Sequence, residues 1–210
     1  MRVSTVCLAG LLCLGACGNE ENSGDKSTAD ETPAQSAGAP SADSALPAGV
    51  SPAAVESGTI SSVYTSLEKD CRLIEVDEES ESSAQRCPGT AGYELKVMEG
   101  DLRMSIDIIT PDGQPHELNY WSVITSGFSS LGPRAEWRMR GGRPIALIVR
   151  VNASENPENA SQLTSYLAVA KITPREICVT DRIAPAPNAN EAARAAADSS
   201  AGRTCITEVP

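Results

Sequence analysis

Aromatic side chains are scarce in this chain. One Phe, two Trp and four Tyr make 3% of 210 residues, although hydrophobic residues as a whole reach 40%. That supply excludes a uniformly packed core along the whole length. The shortage has a location: residues 18–57 hold no Phe, Trp or Tyr, and 26 of those 40 positions are Ala, Gly, Ser, Thr or Pro. Basic charge is also short, at 17 Lys and Arg against 28 Asp and Glu, for a net charge of −11. A phosphate backbone rewards a basic face, so nucleic acid is not an expected partner. His116 is the only histidine and no two cysteines stand in C-x-x-C spacing, so neither a zinc site nor a thioredoxin-like redox pair is expected, nor any cofactor.

No apolar run approaches the roughly 20 residues of a membrane-spanning helix. The stretch from Val6 to Cys17 has 12, follows Arg2, the only charge before Glu20, and ends in Leu14-Gly15-Ala16-Cys17. A positive start and a short apolar region closed by small residues have the layout of an export signal. The tetrapeptide resembles the lipobox of bacterial lipoproteins. That resemblance implies that residues 1–16 are removed as a signal peptide and that Cys17, acylated on sulfur and then on its amine, becomes the mature N-terminus. The membrane is then a partner, since two or three acyl chains hold firmly where one binds only marginally. An ordinary secretory signal with an Ala-x-Ala-like cleavage site is the alternative. Gly18 follows the cysteine, whereas Asp at that place resembles an inner-membrane retention signal in diderm bacteria. By that analogy the protein sorts to the outer membrane, facing the periplasm or the cell surface.

Residues 17–57 therefore read as the lipidated cysteine and a tether. Seven acidic residues stand in it against Lys26 alone, with Pro33, Pro40, Pro47 and Pro52 spread through it. Such a segment has too little apolar area to offset its ordering entropy, and disorder is expected. Forty residues of flexible coil span about 35 Å on average and about 140 Å when fully extended. Spacing the domain off the bilayer explains this; reaching peptidoglycan is the more specific alternative.

Residues 58–210 are 153 in number, enough for one core that buries about two thirds of its unfolded surface. Four cysteines fall here, Cys71, Cys87, Cys178 and Cys205. An even count in an exported chain implies disulfides, with three connectivities open. Pairing of neighbours is expected, Cys71 with Cys87 and Cys178 with Cys205, each bridge contributing about 3 kcal/mol by restricting the unfolded chain.

A period of two dominates this region and signals strands. Tyr93, Leu95 and Val97 alternate with Glu94 and Lys96; Leu102, Met104, Ile106 and Ile108 follow a turn placed at Glu99-Gly100. Trp137 and Met139 alternate with Arg138 and Arg140, and Gly141-Gly142 is a hairpin signal leading into Ile145, Leu147, Val149 and Val151. Leu163 to Ile172 is extended but alternates less cleanly, and Arg72 to Val76 leads into an acidic loop closed by Cys87. Asn188 and Glu191 are spaced as a capping box before the Ala-rich run to Asp198, which predicts one helix. The expected fold is mainly β, an antiparallel sheet or β-sandwich of six to eight strands with one C-terminal helix; α+β is the alternative.

A longer series of residues is specific. Arg86-Cys87-Pro88-Gly89, Gly92-Tyr93, Glu99-Gly100-Asp101-Leu102-Arg103, Glu136-Trp137-Arg138, Arg143-Pro144-Ile145-Ala146, Cys178 and Ala189-Asn190-Glu191-Ala192-Ala193-Arg194 resemble a group of uncharacterised secreted proteobacterial proteins. The resemblance covers nearly all of residues 60–205. It implies an independent exported domain with the same cysteine framework, and it carries no activity.

Candidate chemistry is sparse. His116 lies in a Pro/Gly-rich stretch, and Gly127-Phe128-Ser129-Ser130-Leu131 departs from G-x-S-x-G at Leu131. The run Glu75 to Glu81 offers five carboxylates but lacks a calcium-loop register and reads as a solvated loop. Asp101 and Asp107 are the candidate pair for an envelope hydrolase. Arg134, Arg138, Arg140, Arg143 and Arg150 cluster around one hairpin in an otherwise acidic chain. Arginine suits bidentate recognition of carboxylate or phosphate, so an anionic envelope ligand is the specific reading and cross-strand ion pairing the plain one. The preferred expectation is a non-enzymatic, membrane-anchored envelope lipoprotein that binds a polymer, lipid or protein.

Overall fold

The computed structural model describes residues 58–209. The expected signal peptide, Cys17 and the expected tether lie outside the described residues. In chain order the strands are β1 (Ile60–Ser66), β2 (Arg72–Asp77), β3 (Ser82–Pro88), β4 (Glu94–Gly100), β5 (Arg103–Ile109), β6 (Pro115–Glu117), β7 (Phe128–Arg140), β8 (Arg143–Ser154), β9 (Leu163–Ile172) and β10 (Ile177–Ile183). The helices are a single turn, α1 (Tyr120–Val123), and α2 (Ala189–Asp198). The strands form two antiparallel five-stranded sheets, ordered β1-β7-β8-β9-β10 and β2-β3-β4-β5-β6. The fold is thus mainly β with one full C-terminal helix.

The two sheets share one core. Leu95, Val97, Ile106 and Ile108 from the second sheet meet Trp137, Leu147, Val149, Val151 and Ala168 from the first. Each of these sets follows the period-two pattern, because alternate side chains of a strand point to one face. Trp137 is fully buried at this junction, its ring centroid 6.0 Å from that of Tyr93. Gly89 permits that approach: a methyl group there would lie 2.3 Å from the Tyr93 carbonyl oxygen and 3.0 Å from Trp137 Cζ2. The Cys-Pro-Gly sequence therefore places a residue without a side chain where chain and ring meet.

Helix α2 covers the opposite face of the first sheet. Ala193, Ala196 and Ala197 pack on Ala146, Ile148, Leu167 and Val169. Strands β8 and β9 are consequently buried on both faces, which is why β9 is apolar at nearly every position from Tyr166 onward. Alternation is a signature of one-sided burial, and β9 does not have it. Asn188 precedes α2 as expected, but its side chain makes no capping hydrogen bond. The sheet and the ion pairs described below hold this helix instead.

Three other expectations change. The β4–β5 hairpin turns at Asp101-Leu102 and not at Glu99-Gly100, with φ of 51° and 57°; Glu99 and Gly100 remain in the ladder opposite Met104 and Arg103. Ten strands replace the expected six to eight, the additions including β1, β3 and the short β6. Cys178, which in the sequence follows a strand signal at Arg175-Glu176-Ile177, lies inside β10, and Arg175 and Glu176 precede that strand. Both disulfides join neighbours in sequence, Cys71 to Cys87 and Cys178 to Cys205. The first ties the start of β2 to β3, and the second ties β10 to the C-terminal segment. The acidic run is split, with Glu75 and Asp77 in β2 and Glu78 to Glu81 in the following turn, all exposed.

Candidate functional site

Three hairpin ends converge at one end of the sandwich. They are Thr110–His116 between β5 and β6, Arg140–Ile145 between β7 and β8, and Ile172–Ile177 between β9 and β10. With Tyr93 they enclose a cleft of about 990 Å³. Its floor is apolar, formed by Tyr93, Ile145, Ile172 and Ile177, while Arg140, Arg143 and Arg175 stand among the lining residues. The Gly141-Gly142 turn, with φ of 57° and 78°, reverses the chain between Arg140 and Arg143 and so puts both at the cleft. Pro174-Arg175 forms the tip of the neighbouring hairpin.

The charges here are unevenly satisfied. Arg140 donates to the carbonyl oxygen of Asp198 at 3.4 Å. Arg143 and Arg175 are exposed, and neither forms an ion pair or side-chain hydrogen bond among the described residues. The two acids of the lining are already engaged. Glu176 pairs with Lys171 at 2.6 Å. Asp112 accepts the Thr110 hydroxyl, which holds its carboxyl below the usual range. Two guanidiniums on separate hairpins therefore face solvent over an apolar floor, in an acidic protein. Such an arrangement can engage carboxylate or phosphate oxygens through paired N–H donors.

The five arginines near the central hairpin do not form one surface. Arg140 and Arg143 reach the cleft. Arg134 lies over the Tyr64 ring, 5.0 Å from its centroid, and Arg150 donates to Ser165 at 2.8 Å. Both of these line a separate hollow of about 380 Å³ beside α2, together with Glu136 and Arg194. Arg138 is buried and takes no part in either site. Its Nε and Nη2 donate to the two Asp198 carboxylate oxygens at 2.7 and 2.8 Å, and Nη1 lies 3.6 Å from Glu136. The expectation of a single anion-binding cluster is corrected here, because α2, packed on β8 and β9, reaches over the outer face of β7 and engages Arg138 through Asp198.

Arg175 escaped the sequence reading. Its Pro-Arg-Glu turn between Ile172 and Ile177 is a legible hairpin tip, but its proximity to Arg143 depends on β8 and β9 being neighbours in the sheet.

His116 lies in β6, half-buried, opposite Ile108, and lines the cleft. Among the described residues no serine lines the cleft beside it. Asp101 and Asp107 do not converge either. Asp101 lies in the turn before β5, and the four steps of strand from Arg103 to Asp107 alone span about 13 Å, whereas glycoside hydrolysis needs carboxyl groups roughly 5–10 Å apart. Asp107 is buried, which raises its pKa; Glu117, opposite on β6, raises it further, and Lys96, opposite on β4, lowers it. Neither aspartate lines the cleft. Glu176, Cys178 and Cys205 lie within metal-ligating reach of one another, but both sulfurs are committed to a disulfide.

The described residues thus define a disulfide-bridged antiparallel β-sandwich with a helix ion-paired to one face and a cleft at one end. No family model matches the chain, nor does any curated protein or solved structure. Among the described residues no helix is long and apolar enough to cross a membrane. The disulfides are compatible with an exported protein.

Proposed function

We propose that this protein is a lipid-anchored module of the bacterial cell envelope that binds an anionic ligand in its end cleft without transforming it. The observation that carries this reading is the pair Arg143 and Arg175, exposed and without ionic partners among the described residues, at a cleft with an apolar floor. The net charge of −11 makes long-range attraction of anions unfavourable, so recognition would be local and short-ranged. Anionic groups of the envelope, lipid phosphates or peptidoglycan carboxylates, have the required chemistry. The lipobox would place the module on a membrane, and Gly18 favours the outer one.

Two experiments test the two parts of the proposal. The full chain is titrated with phosphatidylglycerol vesicles and, separately, with soluble muropeptides carrying free carboxylates. Arg143→Gln together with Arg175→Gln should weaken binding to one of these by at least about tenfold, since hydrogen bonds to charged groups contribute roughly 1.5–3 kcal/mol each. Arg134→Gln, in the other hollow, should leave binding unchanged. Equal affinity in the cleft double variant and the wild type would remove the cleft from the proposal. For the anchor, labelled palmitate should be incorporated into the wild type and not into Cys17→Ser, which should accumulate unprocessed or soluble. Label retained on the variant would refute the lipobox.

A further inference from the structure

We infer that two copies of this chain join edge to edge through β2, in antiparallel register about a two-fold axis between Ile74 and Glu75. Among the described residues the free edges of the two sheets belong to β1, β10, β2 and β6. The β6 edge is three residues long and begins with a proline. The β10 edge is partly covered, since the Ile206 N–H donates to the Val179 carbonyl at 2.8 Å and Cys205 is bridged to Cys178. The β1 strand, Ile-Ser-Ser-Val-Tyr-Thr-Ser, carries no charge to set a register, and its Ser62 and Tyr64 already serve the ion-pair network beneath α2.

Strand β2 is different. All six of its residues are exposed, among them Leu73 at 63%, Val76 at 58% and Ile74 at 41%. It adds nothing to the core, yet it is held in place by its ladder to β3 and by the Cys71–Cys87 bridge beside its first residue. An ordered edge strand with exposed aliphatic side chains and unpaired backbone groups is a template for another strand.

The sequence of β2 selects the occupant. Arg-Leu-Ile-Glu-Val-Asp, laid antiparallel on itself, puts Arg72 opposite Asp77 and Leu73 opposite Val76. In a regular strand this register is impossible for a symmetric pair. Directly opposed residues share a face, a two-fold axis normal to the sheet preserves faces, and residues an odd number apart alternate between faces. The bulge between Leu73 and Glu75 removes the conflict. Its extra residue puts Arg72 and Asp77 on one face, paired with Arg86 and Ser82, and Leu73 and Val76 on the other, paired with Gln85 and Ser83. The bulge itself falls at the axis. Glu75, which would approach its own copy there, is already balanced by Lys96 at 3.5 Å. The irregularity that would otherwise disfavour pairing is what allows the charge-complementary register.

Charge reversal tests the register. The full chain, solubilised in non-ionic detergent, is examined by sedimentation as wild type, Arg72→Asp, Asp77→Arg and the double reversal. Wild type should dimerise. Each single reversal should weaken the dimer by about tenfold, because every cross-strand pair occurs twice and opposed like charges repel. The double reversal should restore it. Both substituted side chains are exposed. Because Asp77 also accepts the Glu79 and Ser80 N–H groups of the following turn, each variant's circular dichroism spectrum is compared with wild type to show that the fold is kept. A wild-type monomer, a dimer indifferent to the single reversals, or a double reversal no better than its parents would overturn the proposal. So would association only with a different protein.

Discussion

Replacing Trp137 with alanine is expected to cost about 3–5 kcal/mol of folding stability, the range for removing a large buried aromatic and leaving a cavity. The expectation follows from its position. Trp137 is fully buried in β7 and packs toward Tyr93, which immediately precedes β4, the central strand of the opposite sheet. Its indole N–H donates to the Thr65 hydroxyl on β1 at 2.9 Å, so one side chain links β1 and β7 and reaches across the sandwich. Collapse into the vacated volume is restrained on both sides, since the strands bordering it are pinned by ladders and by the Cys71–Cys87 bridge. Chemical denaturation with the disulfides intact measures the loss. Trp137→Phe should cost less, because it keeps most of the apolar contact and forfeits the hydrogen bond. An alanine variant within 1 kcal/mol of wild type, as an order-of-magnitude bound, would show that the core relaxes more freely than these contacts allow.

Arg138→Ala should be nearly as damaging, at about 3–5 kcal/mol, the cost of leaving buried charge unpaired. Arg138 grips Asp198 at the end of α2 through two hydrogen bonds, and Arg194 from the middle of the helix donates to Glu136 at 2.7 and 3.2 Å. Ser62 donates to the same carboxylate at 2.6 Å. Removing Arg138 strands Asp198 and takes one cation from Glu136. The alanines of α2 bury little area each, so the polar tie carries a large share of the docking. Limited proteolysis should cut first in residues 184–202 of the variant, and wild-type resistance there would refute the assignment.

The same network sets a pH dependence. Burial pushes the Glu136 carboxyl up, but hydrogen bonds from Arg194 and Ser62 and the Arg194 charge outweigh it, leaving its pKa below the usual carboxylate value. A depressed folded-state pKa gives stability that is present above the ordinary carboxylate range and lost as pH falls through the lower folded value. Asp107 acts in the opposite sense: its raised pKa gives stability that is present below the ordinary range and lost as pH rises through the raised value. Acid release of α2 is therefore assigned to Glu136 and its partners.

Much of this molecule follows from its sequence. Alternation at Tyr93–Val97, Met104–Ile108 and Ile145–Val151 marks strands, and Gly141-Gly142 marks a reversal between two of them, because both signals are local and steric. That the second faces of β5 and β8 are also buried is not in the pattern. The alanine run marks a helix, and four cysteines at short separations pair with their neighbours. What local pattern does not contain is which strands lie side by side. The ladder from β1 to β7 joins Ile60 to Arg140, and only that pairing puts Ser62 and Thr65 beneath Arg138 and Trp137. The order β8-β9-β10 brings Arg175 to Arg143 and makes a cleft from two unremarkable turns. Five arginines near one hairpin read alike as sequence. The tertiary structure divided them into a buried tie, a cleft pair and a hollow pair, because the helix packed on β8 and β9 reaches over β7 and covers Arg138.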